Sequence, residues 1–433
     1  MKSVFIIYLL AVLLGYSSHA QQVESSDLVE YKFQPNPAQT YIPLVLNFAL
    51  TMRSGAENMT SLHKGIDILD SKYIGTKWFN ENSIIGKSGG VLARFAKYYF
   101  LDLPVDHFSV VFAHEYFGHG ARYRELNISN IHYAYDYPPP YGNGGGEATN
   151  RRSVNVSPEE ILAIWQGGIE IHPLINRNLS MRWMAKNEMT YREASQYWNS
   201  FQIMFSYIQD SDANLSDGQS DNDPRAYVRL INEFNGYNDV HNLKMNVKDL
   251  KSKMMWNLVN PFIVYSMYSM FKTFLWDGDN VNTIPTINIG DVKYLPALRA
   301  GLTPFGVEYH FENYIRTNEL VSFVDFSYGD QSFHDSWGGV GVKLQNIYST
   351  PNFVFDLNMN LWKQPGLRFE SGDRTVDGDG VGGAFSIRTY YNFENSESAL
   401  TGIVELGYKS VGFIEGYVMD SSPIFQIGLA IRN

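Results

Sequence analysis

From about Ile289 onward the chain alternates apolar and polar residues with a period of two, and no other feature restricts its fold as much. The stretch from Phe353 to Leu361 is the clearest case. Phe353, Phe355, Leu357, Met359 and Leu361 fall on one face, and Asp356, Asn358 and Asn360 dominate the other. Similar runs occur at Leu320 to Tyr328, Gly339 to Tyr348, Ala384 to Phe393, Thr401 to Tyr408, Val411 to Met419 and Ile424 to Arg432. With one or two more between Ala297 and Tyr314, this predicts about eight antiparallel strands.

Each run is about nine to eleven residues, the length of a tilted strand that crosses a bilayer. Trp337, Tyr348, Trp362 and Tyr417 sit near the ends of the runs. In both respects the segment resembles outer-membrane β-barrels, and the resemblance implies an apolar face turned toward lipid. A soluble barrel or sheet whose apolar face packs on the N-terminal half fits the same pattern.

The N-terminal half has helical character instead. Lys2, the apolar run from Val4 to Tyr16 and the small residues Ser18-His19-Ala20 before Gln21 read as a secretory signal peptide, residues 1–20. The chain contains no cysteine, so a metal site in this exported protein must use His, Asp or Glu. The formal net charge of -11, with no Lys/Arg cluster, excludes a nucleic-acid role. These features place the protein in a Gram-negative envelope. The segment Asn58 to Gly89 shows no pattern. A loop from Tyr133 to Gly146, rich in Tyr, Pro and Gly, offers tyrosines to a cleft or forms a bare surface loop. A capping box at Ser157-Pro158-Glu159-Glu160 opens a helix predicted to stop at Pro173. Helices are expected at Tyr191 to Ile208 and Ala226 to Phe234, around an acidic loop at Asp210 to Asp223 that lacks calcium-hand spacing. Met254 to Phe271 carries no charge and reads as a buried or interfacial helix.

The chemistry concentrates in Val110-Val111-Phe112-Ala113-His114-Glu115-Tyr116-Phe117-Gly118-His119-Gly120. The histidines are five residues apart, so an ideal α-helix would hold them roughly 140° apart. A π-type widening restores a common face, and Gly118 is where that distortion costs least. His107, seven residues before His114, lies on the same helical face and is a candidate to point at the same site.

The motif HEYFGH resembles the HExxGH signature of the dipeptidyl-peptidase III zinc enzymes over these six residues, and no other part of the chain looks like that family. The resemblance implies a Zn2+ site in which His114 and His119 are ligands and Glu115 is the general base. In that family the third ligand is a glutamate about fifty residues downstream, introduced by a Glu-Glu pair. Here Glu159-Glu160 has the pair but comes early, and Glu170 has the spacing without the pair. Glu160 already caps a helix, whereas Glu170 lies mid-helix on a small-residue face with Ala163 and Gly167, where a carboxylate needs a cation. Glu170 is therefore the expected third ligand, with Glu160, His107 and His172 as alternative ligands or supporting groups.

The fold class expected is α+β: a helical, metallopeptidase-like domain at residues 21–290, then an antiparallel β-barrel of about eight strands at 291–433. The function expected is zinc-dependent hydrolysis of a peptide or protein substrate at the outer membrane, with periplasmic or secreted placement as alternatives. The competing expectation is a non-catalytic outer-membrane barrel with a structural, transport or assembly role, whose His/Glu cluster binds metal only for stability.

Overall fold

A short strand, β1 (Leu44–Asn47), ends just before Thr51, whose side chain caps the first helix, α1 (Met52–Tyr73). Thr51 and Ser54 cap each other reciprocally, which fixes the helix start within a stretch that has no apolar periodicity. This is why Asn58 to Gly89 shows no pattern in the sequence yet is largely helical: capping and tertiary burial act where hydrophobic period does not. The computed structural model describes residues 44–431 except 80, 137–144, 151–155, 213–221, 240–241, 319, 332, 351, 370–379 and 394–399. The expected signal peptide, the middle of the Tyr/Pro/Gly loop, the middle of the acidic loop and most of the loop at Ser371 to Gly383 lie outside the described residues.

Next come α2 (Ile84–Lys97), a π-helical stretch at Tyr98–Asp102, α3 (Leu103–Phe112), a second π-helical stretch at Ala113–His119, and α4 (Gly120–Glu125). A hairpin of β2 (Ile131–Tyr135) and β3 (Gly146–Asn150) follows, and then the long helix α5 (Pro158–Lys186). This helix passes through Pro173 instead of stopping there. Proline removes one backbone hydrogen bond, but Ile171, His172, Pro173, Leu174 and Ile175 are all buried, and packing on every side holds the helix together across the break. Beyond it lie β4 (Glu188–Thr190), α6 (Tyr191–Asp210), α7 (Asp223–Phe234), α8 (Val247–Met254) and α9 (Pro261–Tyr268). The uncharged segment expected to be one helix is divided at Asn260-Pro261: a 3-10 turn at Met255–Val259 precedes α9, and a π-helical stretch at Ser269–Asp277 follows it. Among the described residues no helix is long and apolar enough to cross a membrane.

After β5 (Val281–Thr283) and β6 (Ile287–Ile289), eight long strands run to the end: β7 (Val292–Thr303), β8 (Gly306–Arg316), β9 (Val321–Gly329), β10 (Trp337–Ser349), β11 (Phe353–Gln364), β12 (Gly380–Asn392), β13 (Leu400–Lys409) and β14 (Ser422–Ile431). They pair with their sequence neighbours, antiparallel throughout, and β6 and β1 extend the two edges into a ten-stranded sheet. β1 comes from the N-terminal half and lies beside β14, with Leu44 opposite Ile431. The chain is thus a mixed helix and sheet protein built around one large antiparallel sheet. Its edge strands β1 and β6 are not paired with each other, so the closed barrel expected from the alternation is not formed by hydrogen bonds between described residues.

One expected strand is absent. Val411 to Met419 is a looped segment, because Gly412 (φ 145°) and Gly416 (φ 80°) take conformations that other residues rarely adopt. The loop carries Glu415 to Arg299, with oxygen to nitrogen distances of 2.6–2.7 Å, and to Arg177 of α5 at 3.0 Å.

The sheet buries its polar face. On β14, Phe425, Ile427, Leu429 and Ile431 are exposed while Gln426 is buried. On β13, Val404, Leu406 and Tyr408 are exposed while Glu405 is buried, and on β12 Phe385 and Ile387 are exposed around buried Arg388. The buried charges are paired with one another and with α1: Arg388 with Glu405 at 2.6 Å and with Glu57 at 2.6 Å, and Arg53 with Glu405 at 2.9 Å. Helix and sheet therefore meet across ion pairs, and also across a shared apolar core that includes Met59, Leu174, Trp183 and Phe262 from helices and Leu295, Val307 and Phe323 from strands.

Candidate metal centre

The second π-helical stretch, Ala113–His119, contains the whole HEYFGH motif. The Gly120 N–H bonds to the Glu115 carbonyl five residues back, the wide turn that the spacing of the histidines requires. Gly118 has a further role: a Cβ there would lie 2.6 Å from the Gly167 carbonyl oxygen and 2.7 Å from the Gly168 Cα. The π turn and α5 cross backbone to backbone at these glycines, closer than side chains allow.

The widened turn brings the two imidazoles together. The Nε2 atoms of His114 and His119 are 3.2 Å apart, and each is 3.1 Å from Oδ2 of Asp223, the first residue of α7. All three side chains are buried, and together they form a group able to hold a metal ion. The fit to zinc follows from the donors. A tetrahedral ion with bonds of ~2.05 Å has ligand atoms ~3.3 Å apart, and these three atoms are 3.1–3.2 Å apart. A His2Asp set also leaves a fourth position, as a catalytic ion needs.

The electrostatics demand positive charge. Burial opposes protonation of His119, yet the neighbouring Asp223 carboxylate outweighs it and raises the imidazole to about 9. Burial likewise opposes ionisation of Asp223, and His119 and His114 still hold it well below the usual carboxylate range. Placing Asp223 at a helix N-terminus adds a smaller stabilisation of its charge. Glu115 is pushed up by burial, partly offset by His114 and His119, as suits a group that takes and returns a proton.

A cavity of about 620 Å³ opens on this cluster, with Glu115, His119 and Asp223 on one side and Tyr123, Trp165, Tyr207 and strand β3 around it. Gly146 lies against the base, since a Cβ there would come within 2.6 Å of Glu115 Cγ. The Tyr207 hydroxyl accepts the Asp223 backbone N–H at 3.2 Å and so steadies the start of α7.

The expected third ligand, Glu170, is elsewhere. Its carboxylate takes a two-pronged grip from Arg122, with Nη2 at 2.5 Å and Nε at 3.1 Å, and accepts the Gly416 N–H at 2.7 Å. The cation that a mid-helix carboxylate needs is therefore a guanidinium. Burial still dominates and raises Glu170 to about 7, against the pull of Arg122. Glu160 closes its capping box, with the Ser157 N–H to Oε2 at 2.7 Å, and takes no part in the trio. His107, in the middle of α3, is half-buried and is not part of the trio, while Val110 and Val111 take the core-facing positions. His172 does not join the trio but touches it, its Nε2 3.1 Å from His114 Nδ1.

Asp223 is the residue that sequence reasoning missed. It ends the acidic loop and directly precedes Pro224, a helix-start signature. That signature marks a carboxylate at a helix end but says nothing about which distant turn it meets, 104 residues from His119. No protein-family model, no characterised protein and no solved structure matches this chain, so the geometry of this trio and its cleft carries the functional argument.

Proposed function

We propose that the protein is a zinc-dependent peptidase held at the outer membrane, with His114, His119 and Asp223 as the metal ligands and Glu115 as the general base. The observation that carries this reading is the shared cleft: Glu115, a buried carboxylate pushed up by burial, lines one cavity together with His119 and Asp223, two of the three donors of the cation site that His114 completes. Zinc, when bound, acidifies water and polarises a carbonyl. Glu115 takes the proton as the water oxygen attacks the peptide carbonyl carbon, then delivers it to the amine as the C–N bond breaks. Asp223 and the two histidines hold the charge in place, and the buried surroundings strengthen each electrostatic contact. The Tyr207 hydroxyl supports Asp223 from behind.

The membrane part of the proposal rests on the inverted sheet. A soluble sheet of this composition would turn its apolar face onto the helices, but along β12 to β14 the charged face does so and the apolar face is left outside, while β7 to β9 also turn Leu295, Val307 and Phe323 inward. Ile84, Ile85, Leu92 and Phe100 of α2 and the turn after it are exposed as well.

Metal analysis of the wild type and of His114→Ala, followed by a peptide-hydrolysis assay of Glu115→Gln, tests the site. The wild type should carry about one zinc and His114→Ala little. Glu115→Gln should keep zinc and lose hydrolysis by ~10²-fold or more. Zinc retention with no hydrolysis by the wild type would favour a structural metal and end the enzymatic reading.

A further inference from the structure

We infer that His172, with Ser200 behind it, is a positioning residue that supports His114 as an Nε2 donor, so that one face of α5 holds both histidines in their cation-binding form. The inference rests on the metal reading above and concerns how the chain prepares that site.

The directions of the hydrogen bonds carry the argument. His119 Nδ1 lies 2.7 Å from the Ile164 carbonyl, which can only accept, so this nitrogen bears a proton, and in the neutral, cation-binding form of the ring Nε2 is left as a lone pair. On the other side the chain is longer. The Ser200 hydroxyl lies 3.4 Å from the His172 carbonyl and donates to it. Its oxygen then accepts from His172 Nδ1 at 3.2 Å, which leaves His172 Nε2 as an acceptor. That acceptor is 3.1 Å from His114 Nδ1 and holds the proton there, and His114 Nε2 is the bare lone pair that faces His119 and Asp223. Once His114 Nε2 is given to a cation its Nδ1 must carry the proton, and the relay then runs in this direction; with no cation the same distances also accept the reverse order, from Ser200 through both imidazoles to Asp223.

The three contact points on α5 are Ile164, Gly168 and His172, spaced i, i+4 and i+8 on one helical face. Ile164 orients one ring and His172 the other. Gly168 lies between them, where a Cβ would sit directly on both Nε2 atoms. Ring-orienting partners of metal-bound histidines are usually carboxylates or backbone carbonyls. His172 is a fully buried imidazole that ends on a fully buried hydroxyl, a neutral relay across three helical elements. If His172 only filled space, an apolar side chain of similar size would serve as well. As a positioning residue it cannot be replaced that way, because the His114 Nδ1–H would then be buried without an acceptor.

Zinc affinity of the full-length protein, measured by competition with a chromophoric chelator, tests this, together with the visible spectrum of the cobalt-loaded protein. His172→Phe should bind zinc about 10–100-fold more weakly, with an altered cobalt spectrum. His172→Gln should recover most of the affinity, because its side-chain oxygen reaches the same acceptor position. Ser200→Ala should weaken binding in the same direction by up to ~10-fold. Ile175→Ala, a cavity in the same helix, should lower Tm and leave zinc affinity unchanged. Phe and Gln variants that bind alike, or a Ser200→Ala protein that binds as the wild type does, would overturn the relay alone. Wild-type protein that binds no zinc would overturn the metal reading itself, and the relay would lose its purpose with it. Should His172→Phe fail to fold, the Gln and Ser200→Ala proteins still decide the matter.

Discussion

Asp223 and Glu170 show how two buried carboxylates of one chain come to different work. Both are ionisable groups in the interior, and each needs a positive partner. Glu170 meets Arg122, three residues beyond His119, and binds the motif segment to α5 and to the 411–419 loop. Asp223 meets two imidazoles whose Nε2 atoms can carry either protons or a shared cation. Substitution should separate these roles. Asp223→Ala should reduce zinc affinity by more than about 100-fold, beyond the loss typical of a supporting partner. Glu170→Ala should cost about 1–3 kcal/mol of stability, because the buried Arg122 loses its two-pronged partner while keeping Glu125 and the Tyr417 carbonyl, and should leave zinc affinity nearly intact. Zinc titration and denaturant melts of the two variants decide the assignment, and loss of zinc from Glu170→Ala would reverse it. The sequence shows why Glu170 needs a cation but not which one. Residue type and helical position are local properties, whereas the choice between an arginine and a metal depends on what α5 lies against.

Among the elements, the π turn is the feature most legible in advance. Five-residue spacing between the histidines demands a wide turn, and Ala113–His119 is wound that way. Less legible is why the glycines matter. Gly118, Gly167 and Gly168 look like places of backbone freedom, yet their importance is contact: two helices touch through them and the histidine nitrogens lie over Gly168. Gly168→Ala should therefore abolish zinc binding while the far-ultraviolet circular dichroism stays native, since alanine favours the helix by about 1 kcal/mol over glycine. A Gly168→Ala protein with wild-type zinc affinity would mean that the rings lie elsewhere. Helix starts with capping boxes were readable at Ser157, but the persistence of α5 through Pro173 was not, because burial on all sides overrode a local break. In the same way the 411–419 segment alternates like a strand, and two positive-φ glycines and the buried Glu415 make it a loop.

At the scale of the whole molecule, the strand pattern foretold β9 to β14, left β7 and β8 as one or two runs and added a strand at 411–419 that is a loop, and it did not say which face would be buried. Alternation is symmetric: it separates two faces and leaves their destinations to the surroundings. Arg53, Glu57 and Arg177 on the helices decide it, because they offer partners to Glu405, Arg388 and Glu312 on the charged side. A lipid-facing sheet makes a measurable demand. Leu406→Lys, on the exposed face of β13, should destabilise the protein in detergent or lipid by about 2–4 kcal/mol near the bilayer midplane. In a water-facing sheet the same change would stay within about 0.5 kcal/mol. Unfolding in vesicles and heat-modifiable gel mobility give the answer, and a neutral effect would place the sheet in water.

The extra residue in the motif also governs what lies beyond it. Each residue added to or removed from a helix turns everything downstream by about 100° relative to what lies upstream. Wound as an ordinary α-helix with the same residues, the segment would carry His119 about 100° off the site and, with it, Arg122 away from Glu170 and Tyr123 away from the cleft. The wide turn is a phase setting: it lets one rod of helix aim its ligands at a cation and, one turn later, aim its arginine at the helix that holds those ligands in place.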